Sequence, residues 1–196
     1  MSEFVTEEKK QKILEYEEAM ASQLARRVLE KPVPPVWMIF IPVFFVFYAW
    51  KVKEYSNGLK SFANHYLLSR RLALDTAWES VQNDTHPEIA RLIEKAEIMA
   101  PEAVPLYLGW ITLLTDHYRN LLTSPGKTVE EMIRNYYRNK SSYMLFSNQL
   151  NTAENTFNAA LLPKIEGDQQ DIHFIAARMQ RSLKDLCRQE VETVFS

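Results

Sequence analysis

The sequence predicts an all-α protein with a membrane-seeking segment, and three observations support this. Only four of the 196 residues are glycine, whereas folds rich in β-strands need many glycine-containing turns. Apolar residues recur three and four positions apart along most of the chain, which is the period of an α-helix. Residues 33–50 form one uncharged apolar run. The predicted fold is an N-terminal amphipathic helix, one membrane helix kinked at proline, and a bundle of about five helices ending in a long helical hairpin.

The edges of the apolar run divide the chain into three parts. Residues 1–32 are predicted to form the amphipathic helix, residues 33–51 a transmembrane or re-entrant anchor, and residues 52–196 the bundle. The formal net charge of -2 gives no global positive field, which argues against nucleic-acid binding. A single cysteine, Cys187, excludes a disulfide within the chain, and we expect it to be a small packed residue.

The run from Val33 to Trp50 approaches the thickness of a bilayer. As an α-helix, its 18 residues would rise about 27 Å, just short of a hydrocarbon core of about 30 Å. Lysines at both ends can extend to the headgroups, and aromatic rings near both ends suit the interface. The predicted anchor residues are Lys31, Trp37, Pro42, Tyr48, Trp50 and Lys51.

Three arrangements of this run are compatible with the sequence. It can be a single span, a re-entrant or monotopic hairpin, or the buried central helix of a soluble bundle. The hairpin is a competitor because Pro42 removes a backbone hydrogen bond in the middle of the run and bends a helix there. Lys51, Lys53 and Lys60 follow the run and favour a cytoplasmic bundle. The same three lysines are also candidates to contact anionic lipid headgroups.

The first helix is predicted from Thr6 to Glu30, with Thr6 as its cap. Its apolar stripe is narrow, and such a stripe either binds a partner or packs within the chain. Basic residues interleaved with tyrosines near position 136 form a second candidate contact surface. The candidate interaction face is Ile13, Tyr16, Met20, Leu24, Val28, Arg134 and Arg138.

Helical periodicity extends through the rest of the chain, and five helices are expected there. They are predicted over residues 52–81, 85–100, 104–122, 128–160 and 168–194. Asn57-Gly58 marks a point where the first of these could kink or break. Thr128 is the expected cap of the fourth, and the fifth is expected to bury Ile172, Ile175, Met179, Leu183, Leu186 and Val194.

No catalytic or metal-binding motif occurs in this sequence. The four histidines do not stand three or four positions apart, and no phosphate-binding glycine loop is present. We therefore expect no cofactor and no metal. The leading hypothesis is a non-enzymatic, membrane-anchored subunit or adaptor that binds another protein. The alternative is an enzyme or ligand carrier with a pocket between the bundle helices, and the candidates to line it are His65, Trp78, Trp110, His117 and His173.

Overall fold

The computed structural model describes residues 7–31, 42–89, 101–164 and 168–196, with residues 42–52 and 164 described by their backbone only. Every element in these ranges is helical, which confirms the predicted all-α bundle. The helices are α1 (Glu7–Val28), α2 (Pro42–Gln82), α3 (Val104–Thr123), α4 (Val129–Tyr137), α5 (Lys140–Leu161) and α6 (Gln169–Val194), with a 3₁₀ turn at Leu162–Lys164.

Local sequence explains where these helices begin. The Thr128 hydroxyl accepts a hydrogen bond from the Glu131 amide at 3.3 Å, as predicted for the cap of α4. The Asn139 side chain accepts one from the Ser142 amide at 2.8 Å and starts α5. Acidic residues occupy the first turn of α1 and basic residues its last turn, which complements the helix dipole.

The helix α2 is continuous through Asn57-Gly58, and no break occurs there. Its first residue, Pro42, lies inside the apolar run, so one helix joins part of that run to the bundle. Gly58 lies against α1, because a Cβ atom at this position would be 3.7 Å from the Leu29 Cδ1 atom. The predicted break therefore does not form, and a Cβ atom at position 58 would make an ordinary van der Waals contact with Leu29.

The single helix predicted over residues 128–160 was wrong. Arg138 adopts a left-handed conformation with φ of 64°, which ends α4, and α5 begins two residues later. The polar stretch around Lys140 gives no apolar contact that would hold one straight helix, and Asn139 caps a new one. The helix predicted over residues 85–100 lies mostly outside the described residues, as do residues 33–41 of the apolar run. Within the described ranges, no helix combines the length and the apolarity needed to cross a membrane.

Contacts along α1 define the directions of its neighbours. Lys10 of α1 pairs with Asp75 of α2 at 2.9 Å, while Leu29 at the other end of α1 lies beside Gly58, so the two helices are antiparallel. The same holds for α6, since Tyr16 contacts Glu190 and the Arg27 carbonyl accepts a hydrogen bond from Arg178. The N-terminal parts of α2 and α6 therefore pass the C-terminal end of α1 at the same end of the bundle, which we call the anchor end.

Two apolar clusters hold the bundle together. The larger joins α1, α2, α3, α4, α5 and α6 around residues such as Ile111, Leu114 and Tyr118, all fully buried. The smaller lies nearer the anchor end and joins α1 to α6 through Leu24, Val28, Leu183 and Leu186. Burial of a leucine-sized side chain stabilises a fold by roughly 1.5–3 kcal/mol, so these clusters supply most of the favourable free energy.

Candidate functional site

An apolar cleft opens between α5 and α6 at the anchor end of the bundle, and we call it the hairpin cleft. Its volume is about 550 Å³. Apolar side chains from the end of α5 and the first half of α6 form most of its walls, and none of the described residues that line it is Asp, Glu, Lys or Arg. The amide side chains of Asn155, Asn158 and Gln180 and the His173 ring complete it. The cleft is therefore suited to an uncharged, apolar occupant.

Leu183 and Leu186 of α6 pack against α1, and Arg178 of α6 donates hydrogen bonds to the C-terminal end of that helix. The first two turns of α6 lie further along, at the anchor end of the bundle. Among the described residues, Ile175 is 48% exposed there and Phe174 57% exposed, whereas the sequence predicted that Ile175 is buried. Exposed apolar side chains beside an apolar cleft are candidates for a binding surface.

A second feature, which we call the buried Arg70 network, lies in the middle of the bundle. The Arg70 guanidinium contacts the Glu154 carboxylate at 2.9 Å and the Glu17 carboxylate at 3.5 Å, and it donates to the Tyr66 hydroxyl at 2.5 Å. These charged side chains are almost fully enclosed, with exposures of 7% for Arg70 and 2% for Glu154. Burial raises the pKa of the Glu154 carboxyl, and the neighbouring Arg70 opposes this effect.

Glu190 lies beside this network on α6. One of its carboxylate oxygens accepts hydrogen bonds from the Tyr16 hydroxyl at 2.8 Å and the Tyr143 hydroxyl at 2.7 Å, which ties α6 to α1 and α5. Burial raises the pKa of the Glu190 carboxyl to about 7, although the two tyrosine hydrogen bonds oppose the shift. The cavity that these groups surround measures only about 50 Å³, which is too small for an organic substrate.

His117 is packed in the interior of the bundle. Its Nδ1 atom is 2.8 Å from the Tyr137 hydroxyl, and its ring stacks on Phe146 with centroids 4.5 Å apart. Burial, with a smaller contribution from Arg70, lowers the pKa of His117 to about 3. Cys187 is inert, because burial raises the pKa of its thiol to about 12. Among the described residues, no group of histidine, cysteine and carboxylate side chains could hold a metal ion.

The five residues predicted to line one pocket are not brought together. His117 borders the small central cavity, His173 the hairpin cleft, and Trp78 a third depression near the C-terminal end of α2. His65 is exposed and contacts the Ser61 carbonyl of its own helix. Trp110 is buried against Phe157, with their rings stacked at 5.7 Å.

The predicted interaction face of α1 lies within the protein. Ile13, Leu24 and Val28 are buried, and Tyr16 and Met20 are partly buried against the clusters. The stripe is therefore not free to bind another protein, because α2 and α6 already cover it. Two basic residues of the same predicted face, Arg134 and Arg138, are exposed, and Arg134 also donates to the Val194 carbonyl at 2.8 Å.

Sequence reasoning missed the buried Arg70 network and Glu190, although a signal for them exists. Each charged residue occupies a position where the helical period calls for an apolar one. Glu190, for example, stands four residues from both Leu186 and Val194, which are buried. The described geometry thus defines a helical bundle with an open apolar cleft. Comparisons with protein-family models, with curated proteins and with solved structures found no match to this chain.

Proposed function

We propose that this chain is a non-enzymatic, membrane-anchored subunit or adaptor that binds another protein through the hairpin cleft. The observation that supports this most directly is the cleft itself, an uncharged apolar opening with Phe174 and Ile175 exposed beside it. The Arg70 network and His117 are enclosed, so the cleft is the feature that offers a partner both space and apolar surface.

Two observations favour an anchor. Residues 33–50 contain no charged side chain, and α2 begins within this run at Pro42 and continues into the bundle core. A helix that is continuous from a bilayer into a bundle would hold the anchor end close to the membrane. Whether the run forms a span or a re-entrant hairpin, Lys51 and Lys53 then lie near the headgroups, and their charge favours a bundle on the cytoplasmic side.

The position and lining of the cleft define the chemistry of the partner. Because the cleft lies at the anchor end and its described lining is free of charged side chains, the partner surface is expected to be apolar and to lie close to the membrane. We propose that one apolar face of a helix, belonging to another membrane protein, occupies it. Helices bind to such grooves through side chains three and four residues apart.

Purification of the full chain from native membranes in mild detergent, followed by mass spectrometry, tests this proposal. We expect a stoichiometric partner with the wild-type chain and its loss with Ile175→Asp, because a charge at the cleft wall would be buried in the complex. Leu145→Asp is the matched control, since Leu145 is an exposed apolar residue, 61% accessible, that does not line the cleft. Equal recovery of the partner with both variants would contradict the proposal. Carbonate extraction tests the anchor separately, and release into the supernatant would contradict it.

A ligand carrier is the second candidate, and the cleft volume favours it. Pockets that bind small molecules span about 300–1,000 Å³, and the hairpin cleft lies within this range. The same purification separates the two candidates. A bound apolar small molecule in place of a protein, lost with Ile175→Asp and kept with Leu145→Asp, would favour the carrier.

A further inference from the structure

A polar groove lies between the outer faces of α1 and α2, and we call it the α1–α2 groove. Its volume is about 500 Å³. Unlike the hairpin cleft, it is bordered by many hydrogen-bond donors. Those with cationic, hydroxyl or amide groups are Ser22, Arg26, Ser56, Lys60, Asn64 and Arg71.

The charge balance of the groove is positive. Glu18, the one acidic residue in its lining, is paired with Arg71 at 2.7 Å. Arg26 and Lys60 remain, both exposed, and neither makes an ion pair within the part of the chain that the structure describes. Two cations beside hydroxyl and amide donors are the groups that recognise a phosphate.

The groove also has a defined place along the bundle. Arg26 is in the last turn of α1, and Lys60 is two residues beyond Gly58, which lies beside Leu29. Both cations are therefore at the anchor end, on the side towards which α2 leads to Pro42. Lys53 is exposed two turns further along α2 in the same direction. Because the exposed Glu54 stands next to Lys53, the positive charge at this end comes mainly from Arg26 and Lys60 of the groove.

We propose that the α1–α2 groove binds the phosphate of an anionic phospholipid headgroup. The charge and the hydrogen-bond donors of the groove are features of the structure. Only the choice of a lipid as the source of the phosphate rests on the proposed membrane anchoring. Arg26 and Lys60 contact the phosphate, and the serine and asparagine side chains donate to its remaining oxygens. The bound lipid would fix the orientation of the bundle relative to the bilayer, because the groove is built from α1 and α2 together.

The test uses the full chain in neutral detergent micelles and native mass spectrometry with three probes added in turn. The probes are phosphatidylglycerol, phosphatidylcholine and inorganic phosphate. We expect retention of phosphatidylglycerol, and weaker binding at high salt as charges are screened. A Lys or Arg near a lipid surface contributes about fivefold in affinity, so the double variant Arg26→Gln with Lys60→Gln should lose about 25-fold.

The matched control removes the same charge elsewhere on the bundle. Arg181 and Lys184 are exposed cations on α6 and do not line the groove, so Arg181→Gln with Lys184→Gln should retain phosphatidylglycerol as the wild type does. Near-ultraviolet circular dichroism checks that each variant keeps its tertiary packing.

Several outcomes would overturn the proposal. Equal retention of phosphatidylcholine would show apolar adsorption, and binding of inorganic phosphate without the lipid would assign the groove to a soluble anion. Equal loss with both double variants would show an effect of net charge alone, and no binding of any probe would remove the site. Failure of the anchor would appear separately, as release on carbonate extraction with lipid binding in micelles intact.

Discussion

Glu190 is a buried carboxyl whose protonation should affect stability near neutral pH. Burial raises its pKa in the folded chain from an ordinary value of 4.5 to about 7. The folded state therefore holds the proton more tightly than the unfolded state does. The stability that the bound proton contributes is fully present below pH 4.5, the ordinary pKa of the carboxyl. It is lost as the pH rises through about 7, the pKa in the folded chain. A shift of this size corresponds to a loss on the order of 3 kcal/mol.

Glu190→Gln should remove this pH dependence. A glutamine can still accept from the Tyr16 and Tyr143 hydroxyls, but it cannot ionise. Urea unfolding at about pH 5 and about pH 8 should show that the variant gains stability relative to the wild type as the pH rises. His117 has the opposite slope, since its low pKa costs stability as the pH falls, and this effect cancels in the comparison. Asp185→Asn, an exposed change on the same helix, is the control. A pH-independent difference between wild type and Glu190→Gln would contradict the assignment.

Arg70 and Arg71 are neighbours in sequence that should differ sharply in what they contribute to stability. Arg70→Met leaves the buried carboxylates of Glu17 and Glu154 without their cation, which typically costs about 3–5 kcal/mol. Arg71→Met breaks only the half-exposed pair with Glu18, for which the cost is about 0–1 kcal/mol. Urea unfolding of the two variants at one pH measures both. Adding Glu154→Gln to Arg70→Met should recover part of the loss, and equal costs for the two single variants would contradict this account.

Among the helical elements, the junction between α4 and α5 carries backbone strain that a substitution can release. Arg138 has φ of 64°, a conformation that costs a residue with a Cβ atom roughly 1–2 kcal/mol. Arg138→Gly relieves this strain and should raise the free energy of unfolding. The gain is limited to about 1 kcal/mol, because the greater entropy of glycine in the unfolded chain offsets part of it. Arg138→Ala, which removes the charge but keeps the Cβ atom, is the control. A thermal midpoint that rises as much with alanine as with glycine would show that charge, not strain, is responsible.

The sequence predicts helices well where one face is apolar and covered along its whole length. The bounds of α3 and the cap of α4 follow from local pattern alone, because Thr128 needs only the amide of Glu131 three residues away. The hairpin cleft could not be predicted in this way. Ile175 has the same periodicity as Leu183, yet Leu183 is buried against α1, a helix far away in sequence, and Ile175 is 48% exposed.

The buried Arg70 network is a second feature that could not be predicted from the sequence. Glu17, Arg70 and Glu154 each look like interruptions of an apolar stripe when their helix is considered alone. Their ion-pair partners lie on other helices, 53 residues away for Glu17 and Arg70 and 84 residues away for Arg70 and Glu154, so only the assembled bundle shows that the charges pair. Three helices bring these side chains together here, and each charge is stabilised in the interior by the opposite charge beside it.

At the scale of the whole molecule, α2 is the helix that connects the second half of the apolar run to the bundle. Its 41 residues span about 60 Å as a continuous helix. The part after Gly58 packs on α1, whereas the part before it passes the end of α1. Residues 42–57 and the part of α2 that packs in the bundle therefore belong to one continuous helix, so the orientation of the first follows that of the second as long as the helix is unbroken.

Interrupting α2 near residue 57 should let its N-terminal part move relative to the bundle without unfolding the bundle. Asn57→Pro removes a backbone hydrogen bond in the helix interior and costs about 3 kcal/mol locally. Spin labels on cysteines placed at Lys53 and Arg181, in a chain whose native cysteine is removed by Cys187→Ala, report the coupling as a distance distribution. We expect a broad distribution for Asn57→Pro and a narrow one for Asn57→Ala, which keeps the helix. If Asn57→Pro keeps the narrow distribution while the bundle retains its near-ultraviolet signal, then contacts other than α2 hold the anchor end in place.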